Sequence, residues 1–301
     1  MMKQHKFKYT EYTDLLVQFD KLVRVKNYKT GQGKMYQAAV KEYLLFMERN
    51  NVSTLKFNRD HLTSYYDYLI HRPSRRGGTL SDSTINHHLF AFRLLFELLL
   101  ENNQVSSLPA IPKYLRGNVL EREILTINEV KHLYSLCKTS QEIALISVAY
   151  GCGLRRSEIE ALNLQDIDLR KGFLIIKSGK NNKRREVPLS DKVRGDLKTY
   201  LHEQRIDQVN PEKIEHSFFI NQVGTRMRGN SHYQMLKRIV SRSSNEELLN
   251  KQVTLHTLRH TIATHLVENG ADIQFIKSFL GHTEINTSHL YTIRRKRRVK
   301  L

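Results

Sequence analysis

The chain has 301 residues, of which 40% are hydrophobic and 26% charged, a composition typical of folded globular proteins rather than disordered ones. This length is sufficient for two domains with cores of their own, and no apolar run is long enough for a transmembrane helix. The formal charge of +19 resists compaction unless a polyanion neutralises it. Phosphate backbones are the usual polyanion, so charge favours a nucleic-acid partner over an anionic membrane surface.

The cysteines and the N-terminus bear on the compartment. The first residues are basic but no apolar segment follows them, which predicts that there is no signal peptide. Cys137 and Cys152 are the only cysteines, so a secreted disulfide framework is not expected. We therefore expect a cytoplasmic protein without a membrane partner, associated with the nucleoid if DNA is its ligand.

The first hundred residues are predicted to be helical. Apolar side chains recur at spacings of three and four over residues 33–50, and again over 60–70. A third helix is predicted over 81–103, with Ser81 or Ser83 as its N-cap.

Four arginines of this region are candidate DNA contacts. Arg72, Arg75 and Arg76 lie on a loop where a proline and paired glycines interrupt the helical pattern, and Arg93 lies on the third helix. Each is equally well explained as an ordinary solvated charge.

Residues 106–118 contain prolines and a glycine and show no helical period, as is typical of a linker. We therefore predict a helical DNA-binding domain over residues 1–108, a linker over 109–120 and a second domain over 121–301.

The second domain is predicted to be rich in helices and to contain a small β-hairpin. Thr126 and Glu129 have the spacing of a helix-capping box, and residues 141–162 are predicted to be largely helical. Further helices are predicted over 190–202, 230–240 and 254–270, and a last one between Asp272 and Gly281. Two short strands, 173–176 and 186–189, flank a basic hairpin tip. The fold class is therefore mainly α (α+β).

Two basic motifs are weak signals when taken singly. Arg155 in "GLRRSE" (residues 153–158) is predicted to be helical and would ordinarily be a surface arginine. Lys180 lies at the hairpin tip among Lys177, Lys183, Arg184 and Arg185, where the simplest interpretation is contact with a DNA backbone.

The motif "HTLRH" (residues 256–260) is more informative. His256 and Arg259 are three residues apart on a predicted helix and so share a face. An acid or base beside a permanent cation suits phosphate chemistry, although a core histidine is equally consistent. His256 and His260 also have the spacing of a metal pair, but the glutamate of a metalloprotease helix and a third ligand are missing, so we predict no metal site.

Taken together, these motifs resemble the tyrosine recombinase (phage integrase) family. The matching stretches are "GLRRSE", "GKNNKRREVPL", "HTLRHTIATHLVENGADIQFIKSFLGH" and a tyrosine nine residues after the last histidine. They cover the second domain in the family's order and spacing, and the first domain more weakly resembles the family's core-binding domain.

The resemblance implies a role for each matched residue. Arg155, favoured over Arg156 by the Gly-Leu-Arg frame, matches the first catalytic arginine, with Glu158 supporting it. The remaining catalytic matches are Lys180 as the acid that protonates the leaving 5′ oxygen, the pair His256 and Arg259, the following His282, and the nucleophile Tyr291.

The chemistry of this set is coherent. A phenol has a pKa of about 10 and needs help to attack, while arginines stabilise the charge on a phosphodiester under in-line attack. A lysine can protonate the leaving oxygen, so the reaction needs neither ATP nor metal and no cofactor is expected.

The resemblance therefore implies a site-specific DNA recombinase of the simple Xer-like or mobile-element type. Its partner would be double-stranded DNA, with the protein assembled as a tetramer on two sites and room for an accessory DNA-bending or directionality protein. Two alternatives are a type IB topoisomerase that relaxes supercoils and an inactive DNA-binding regulator on the same scaffold.

Overall fold

The computed structural model describes residues 7–28, 30–52, 59–74, 77–111, 115, 123–177, 184–209 and 215–281. The chain divides into two compact units, Met1–Leu120 and Glu121–Leu301. Within the described residues, no helix has the length and apolar character needed to cross a membrane.

The described part of the first unit is helical. Its helices are α1 (Thr10–Val25), α2 (Thr30–Arg49), α3 (Arg59–His71) and α4 (Asp82–Glu101). The last three confirm the predicted helices to within three residues at each end, and Ser81 is the N-cap of α4, accepting a hydrogen bond from the Thr84 amide. Helix α1 was not bounded from the sequence, although Tyr12, Leu15 and Phe19 recur on its buried face.

The core of the first unit contains packed aromatic rings that connect its helices. The rings of Tyr43 and Tyr65 lie 5.1 Å apart and those of Tyr43 and Phe92 lie 5.0 Å apart, which joins α2, α3 and α4. Such pairs contribute beyond their buried area, so the three helices hold each other without a sheet.

The described part of the second unit is built from short helices around one apolar core. They are α5 (Ile127–Ser135), α6 (Ser140–Ile146), α7 (Arg156–Ala161), α8 (Asp191–Thr199), α9 (Ile206–Gln208), α10 (Gly229–Val240), α11 (Glu246–Asn250), α12 (Leu255–Glu268) and α13 (Ile273–Leu280). The predicted caps Thr126, Thr254 and Asp272 are confirmed by their hydrogen bonds to the first turns of α5, α12 and α13.

The prediction that residues 141–162 are largely helical is confirmed, but the helix is interrupted in its middle. Helix α6 runs into a π-helical turn, Ser147–Gly151, and the chain then leaves the helix before α7 begins at Arg156. Gly153 has φ +60°, and a Cβ there would lie 2.8 Å from Leu280 Cδ2. The break therefore needs glycine both for its left-handed backbone and for close packing against α13.

The hairpin is part of a three-stranded antiparallel sheet in the order β1 (Ile167–Asp168), β2 (Phe173–Ile176) and β3 (Arg185–Pro188). Strand β2 lies where it was predicted, β3 begins one residue earlier, and β1 was not predicted because two residues carry no alternation. The register pairs Ile176 with Arg185, so Arg185 belongs to the sheet and not to the hairpin tip.

Candidate active site

The sequence predicted that Arg155 lies inside a helix. In the structure it is instead the N-cap residue, directly before the first turn of α7. Its backbone is extended (φ −73°, ψ 153°), and its amide donates to Glu158 Oε2 at 2.9 Å. Its guanidinium donates to Glu158 Oε1 at 2.7 Å and to the Gly281 carbonyl at 3.3 Å, and the side chain stays 24% exposed. The neighbouring Arg156 is exposed. A capping turn therefore presents Arg155 at the surface with its charge oriented by Glu158.

The Glu158 carboxylate lies at the centre of an arginine cluster. Its side chain is 1% exposed and accepts two parallel hydrogen bonds from Arg185, at 2.9 and 2.8 Å, in addition to those from Arg155. Arg259 Nη1 lies 3.6 Å from Glu158 Oε2. Burial by itself raises the pKa of Glu158, but hydrogen bonds and charge from Arg185, the Arg155 amide and the Arg259 charge outweigh it and leave the pKa lowered.

Arg259 is the most buried member of this cluster, at 1% exposure. Its guanidinium donates to the carbonyls of Gly153 and Leu280. Nε has no hydrogen-bond partner among the described residues. Burial, with the charge of Arg155 adding to it, lowers the pKa of Arg259 to about 9, so the group remains charged at neutral pH.

The C-terminal end of α13 is where the cluster converges. Three successive carbonyls, those of Phe279, Leu280 and Gly281, accept hydrogen bonds from Arg185, Arg259 and Arg155 respectively. The end of a helix carries partial negative charge and unpaired carbonyls, both of which cations satisfy. Gly281 adopts φ +63°, the left-handed C-terminal conformation that the sequence predicted for the end of this helix.

His256 begins the face of α12 that also carries Arg259 one turn later. It is exposed, and its Nε2 lies 2.8 Å from Nε2 of the partly buried His260. The core-histidine interpretation of His256 is therefore wrong, because the ring lies at the surface. Within the described parts of the chain, no group of three or more histidine, cysteine or carboxylate side chains could hold a metal ion.

Several predicted site residues lie outside the described residues. These are Lys180, Lys183, His282 and Tyr291 of the second unit, and Arg75 and Arg76 of the first. Gly281 is the last described residue before His282. Its carbonyl contacts Arg155, so the arginine cluster is adjacent in sequence to the segment that contains the expected nucleophile.

The remaining candidate DNA contacts lie in two different settings. Arg93 and Arg184 are exposed. Arg72 pairs with Glu42, whose Oε1 lies 2.8 Å from Arg72 Nε, and its side chain is 23% exposed. Arg72 therefore already has a counter-charge within its own unit.

Sequence reasoning missed the role of Arg185, which was placed among the basic residues of the hairpin tip. In the structure its side chain is 8% exposed and contacts Glu158 and Phe279. The available signal is the alternation of a β-strand, in which residues two positions apart point to the same face. Arg185 lies two residues before Val187, which is buried, so both point inward.

Comparison with known proteins identifies the family. The sequence profile of the phage integrase family matches residues 123–298, more than half of the chain. The chain belongs to the phage integrase family. Among the most similar phage integrase relatives is tyrosine recombinase XerD of Oceanobacillus iheyensis, 32% identical over 227 residues that cover 73% of this chain and 74% of the relative. XerD of Staphylococcus saprophyticus is 30% identical over 265 residues and 85% of each chain.

Solved structures share the fold of this phage integrase family member. The Tn1549 transposon integrase in complex with transposon right-end DNA has a TM-score of 0.77 at 17% identity, covering 95% of this chain and 98% of that one. The XerH site-specific recombinase bound to its difH substrate has a TM-score of 0.65 at 20% identity, covering 97% and 88%.

Proposed function

We propose that this chain is a site-specific tyrosine recombinase that cleaves and rejoins double-stranded DNA through a covalent 3′-phosphotyrosyl intermediate. The observation that carries the proposal is the cluster in which Arg155 and Arg259 share the buried Glu158 carboxylate beside the start of the segment containing Tyr291. Family membership and the net charge of +19 support it.

In the proposed reaction, the Tyr291 phenol attacks the scissile phosphorus, forming the phenolic O–P bond while the bond to the 5′ oxygen breaks. Arg155, a quarter exposed, and Arg259, which has an unpaired Nε–H among the described residues, stabilise the charge on the non-bridging oxygens. Lys180 donates a proton to the leaving 5′ oxygen, and His256 or His282 accepts the proton that the phenol loses on attack. Attack by a 5′ hydroxyl on the phosphotyrosyl bond reverses these steps and rejoins the strand.

The arginines are preorganised for catalysis because they are held in place before DNA binds. Guanidinium groups already fixed by Glu158 and by the end of α13 need little reorganisation when charge develops on the phosphate. No step requires ATP, metal or another cofactor, since the phosphotyrosyl bond conserves the energy of the broken phosphodiester.

We further propose that the protein works as a tetramer on two DNA sites in the cytoplasm, as a simple Xer-like or mobile-element enzyme. Two units with separate cores suit an enzyme that contacts DNA with both. Arg72, Arg75, Arg76, Arg93, Lys183 and Arg184 are the proposed additional DNA contacts.

The test is covalent capture. Wild type and Tyr291→Phe are incubated with sheared DNA from the source genome, denatured in SDS, and the DNA that remains attached is sequenced. We expect adducts with wild type alone, clustered at one sequence. Adducts that survive Tyr291→Phe would disprove the assigned nucleophile. Scattered adducts would indicate a type IB topoisomerase, and tight binding without adducts would indicate a DNA-binding regulator.

A further inference from the structure

Arg185 has a largely buried side chain, and its guanidinium is hydrogen-bonded entirely within the protein. Its two Nη atoms donate to the two oxygens of Glu158 at 2.9 and 2.8 Å, and Nε donates to the Phe279 carbonyl at 3.0 Å. Every guanidinium nitrogen therefore has a protein acceptor, and only 8% of the side chain is exposed. Such an arginine is poorly placed to bind a DNA phosphate.

These contacts join three parts of the site that are distant in the chain. Arg185 lies on β3, directly after the basic hairpin, whereas Glu158 lies 27 positions away and Phe279 lies 94 positions away. The planar fork of arginine matches a carboxylate in two parallel bonds, which fixes the carboxylate in rotation as well as in position.

The end of α13 is shaped around this side chain. A Cβ built on Gly281 would lie 2.7 Å from Arg185 Cδ and 2.8 Å from its Nη1. The backbone of α13 can therefore approach the Arg185 guanidinium only because residue 281 has no side chain.

We propose that Arg185 is a positioning residue for DNA cleavage. It holds the Glu158 carboxylate and the carbonyl end of α13 in one arrangement, so that Arg155 and Arg259 meet the scissile phosphate in register with the segment that carries Tyr291. This inference rests on the proposed function.

The same unit contains a matched ion pair for comparison. Arg242 donates to both oxygens of Glu142, at 2.6 and 2.8 Å, and to the Leu136 carbonyl at 3.0 Å. The chemistry is that of Arg185: one carboxylate held by a fork, and one backbone carbonyl. Its partners include none of the proposed catalytic residues, so Arg242→Met reproduces the loss of an ion pair without disturbing the arginine cluster.

The experiment measures the initial rate of SDS-stable adduct formation by the full chain on sheared DNA from the source genome. Wild type, Arg185→Met, Arg185→Lys and Arg242→Met are compared, with DNA affinity from fluorescence anisotropy and the urea midpoint of each. We expect Arg185→Met to form adducts roughly 10- to 100-fold more slowly than wild type, as for a small misplacement of catalytic groups. Arg242→Met should remain within about twofold, and DNA affinity should be unchanged in all.

The pH profile separates positioning from a general loss of stability. Without Arg185, the partners that the buried Glu158 retains among the described residues are Arg155 and Arg259, with Asp166 and Lys177 lining the adjacent cavity. Its pKa rises, and a protonated Glu158 no longer orients Arg155. The ratio of the Arg185→Met rate to the wild-type rate should therefore increase with pH between about pH 5 and about pH 8, while the Arg242→Met ratio stays flat.

Each outcome decides the proposal. An Arg185→Met rate equal to that of Arg242→Met overturns it, and so does a loss that comes entirely from weaker DNA binding. If Arg185→Met does not fold, Arg185→Lys decides, because one ammonium keeps the charge but cannot reproduce the fork. A wild-type rate for Arg185→Lys then overturns the proposal, and a reduced rate with unchanged affinity supports it. Wild type alone reports on the proposed function: if it forms no adducts, that function fails and the present inference fails with it.

Discussion

At the scale of single residues, the site depends on one buried carboxylate. Glu158 is 1% exposed and is the shared acceptor of Arg155 and Arg185, with Arg259 at 3.6 Å. Three guanidinium groups this close would repel one another without it, which is why the charge of Arg155 lowers the pKa of Arg259 in addition to burial. Glu158 therefore stabilises a local concentration of positive charge.

Replacing Glu158 with glutamine keeps its shape and removes this charge. Glu158→Gln leaves buried cations without compensation, so we expect a loss of about 3 kcal/mol in the free energy of unfolding, measured by urea denaturation. Glu142→Gln is the control, because its partner Arg242 is 26% exposed and solvent supplies part of the compensation. There the expected loss is about 1 kcal/mol. Equal losses would contradict the central role of Glu158.

At the scale of secondary-structure elements, the C-terminal end of α13 organises the cluster. Its last carbonyls bind three arginines that come from β3, α12 and the start of α7. A helix terminus can accept several cations at once because its carbonyls have no partners within the helix. Movement of this one helix end would therefore shift all three arginines together.

Comparing two glycines with similar backbone conformations distinguishes the contact between Gly281 and Arg185 from simple backbone strain. Gly281 has φ +63° and Gly172 has φ +73°, but a Cβ on Gly172 would come no closer than 3.9 Å to any neighbour, Arg194 Nη1. Both Gly281→Ala and Gly172→Ala should lose about 1–2 kcal/mol of unfolding free energy from the left-handed backbone.

Only Gly281→Ala should also slow covalent adduct formation, because its methyl group displaces the Arg185 guanidinium. Adduct rates on source-genome DNA are the measurement. A slowed Gly172→Ala, or an unaffected Gly281→Ala, would show that the contact at the end of α13 has no functional consequence.

At the scale of the whole molecule, the two units have separate apolar cores, and each contains a buried histidine. His88 in the first unit is 6% exposed and His232 in the second is fully buried. Burial lowers the pKa of both to about 4, with the charge of Arg72 adding to the effect at His88. Both are therefore neutral in the folded protein at neutral pH.

The free energy of unfolding should fall as the pH is lowered from about 6.5 to about 4. The unfolded chain binds a proton at each histidine below about pH 6.5, whereas the folded chain does not do so until about pH 4. Each histidine thus contributes a slope of up to about 1.4 kcal/mol per pH unit to the unfolding free energy in that window. His88→Phe and His232→Phe should each flatten the pH dependence measured by urea denaturation, and unchanged slopes would contradict neutral burial.

What the sequence determined was local or compositional. A charge of +19 indicated a polyanionic partner, the motif order indicated the family, and the caps Ser81, Thr126 and Thr254 located helix starts. These signals need no knowledge of the fold, because capping bonds join residues three positions apart and charge depends on composition alone.

Only the tertiary structure decided which arginine does what. Arg185 looked like one more cation of a basic hairpin, and Arg259 was expected only to share a helical face with His256, yet both pack against Glu158 and the end of α13. Those contacts, together with that of Arg155 with the Gly281 carbonyl, span from 21 to 126 positions along the chain, so no local period or spacing encodes them. They follow from the packing of α7, β3, α12 and α13 around one core, which places a buried carboxylate within reach of cations from separate elements.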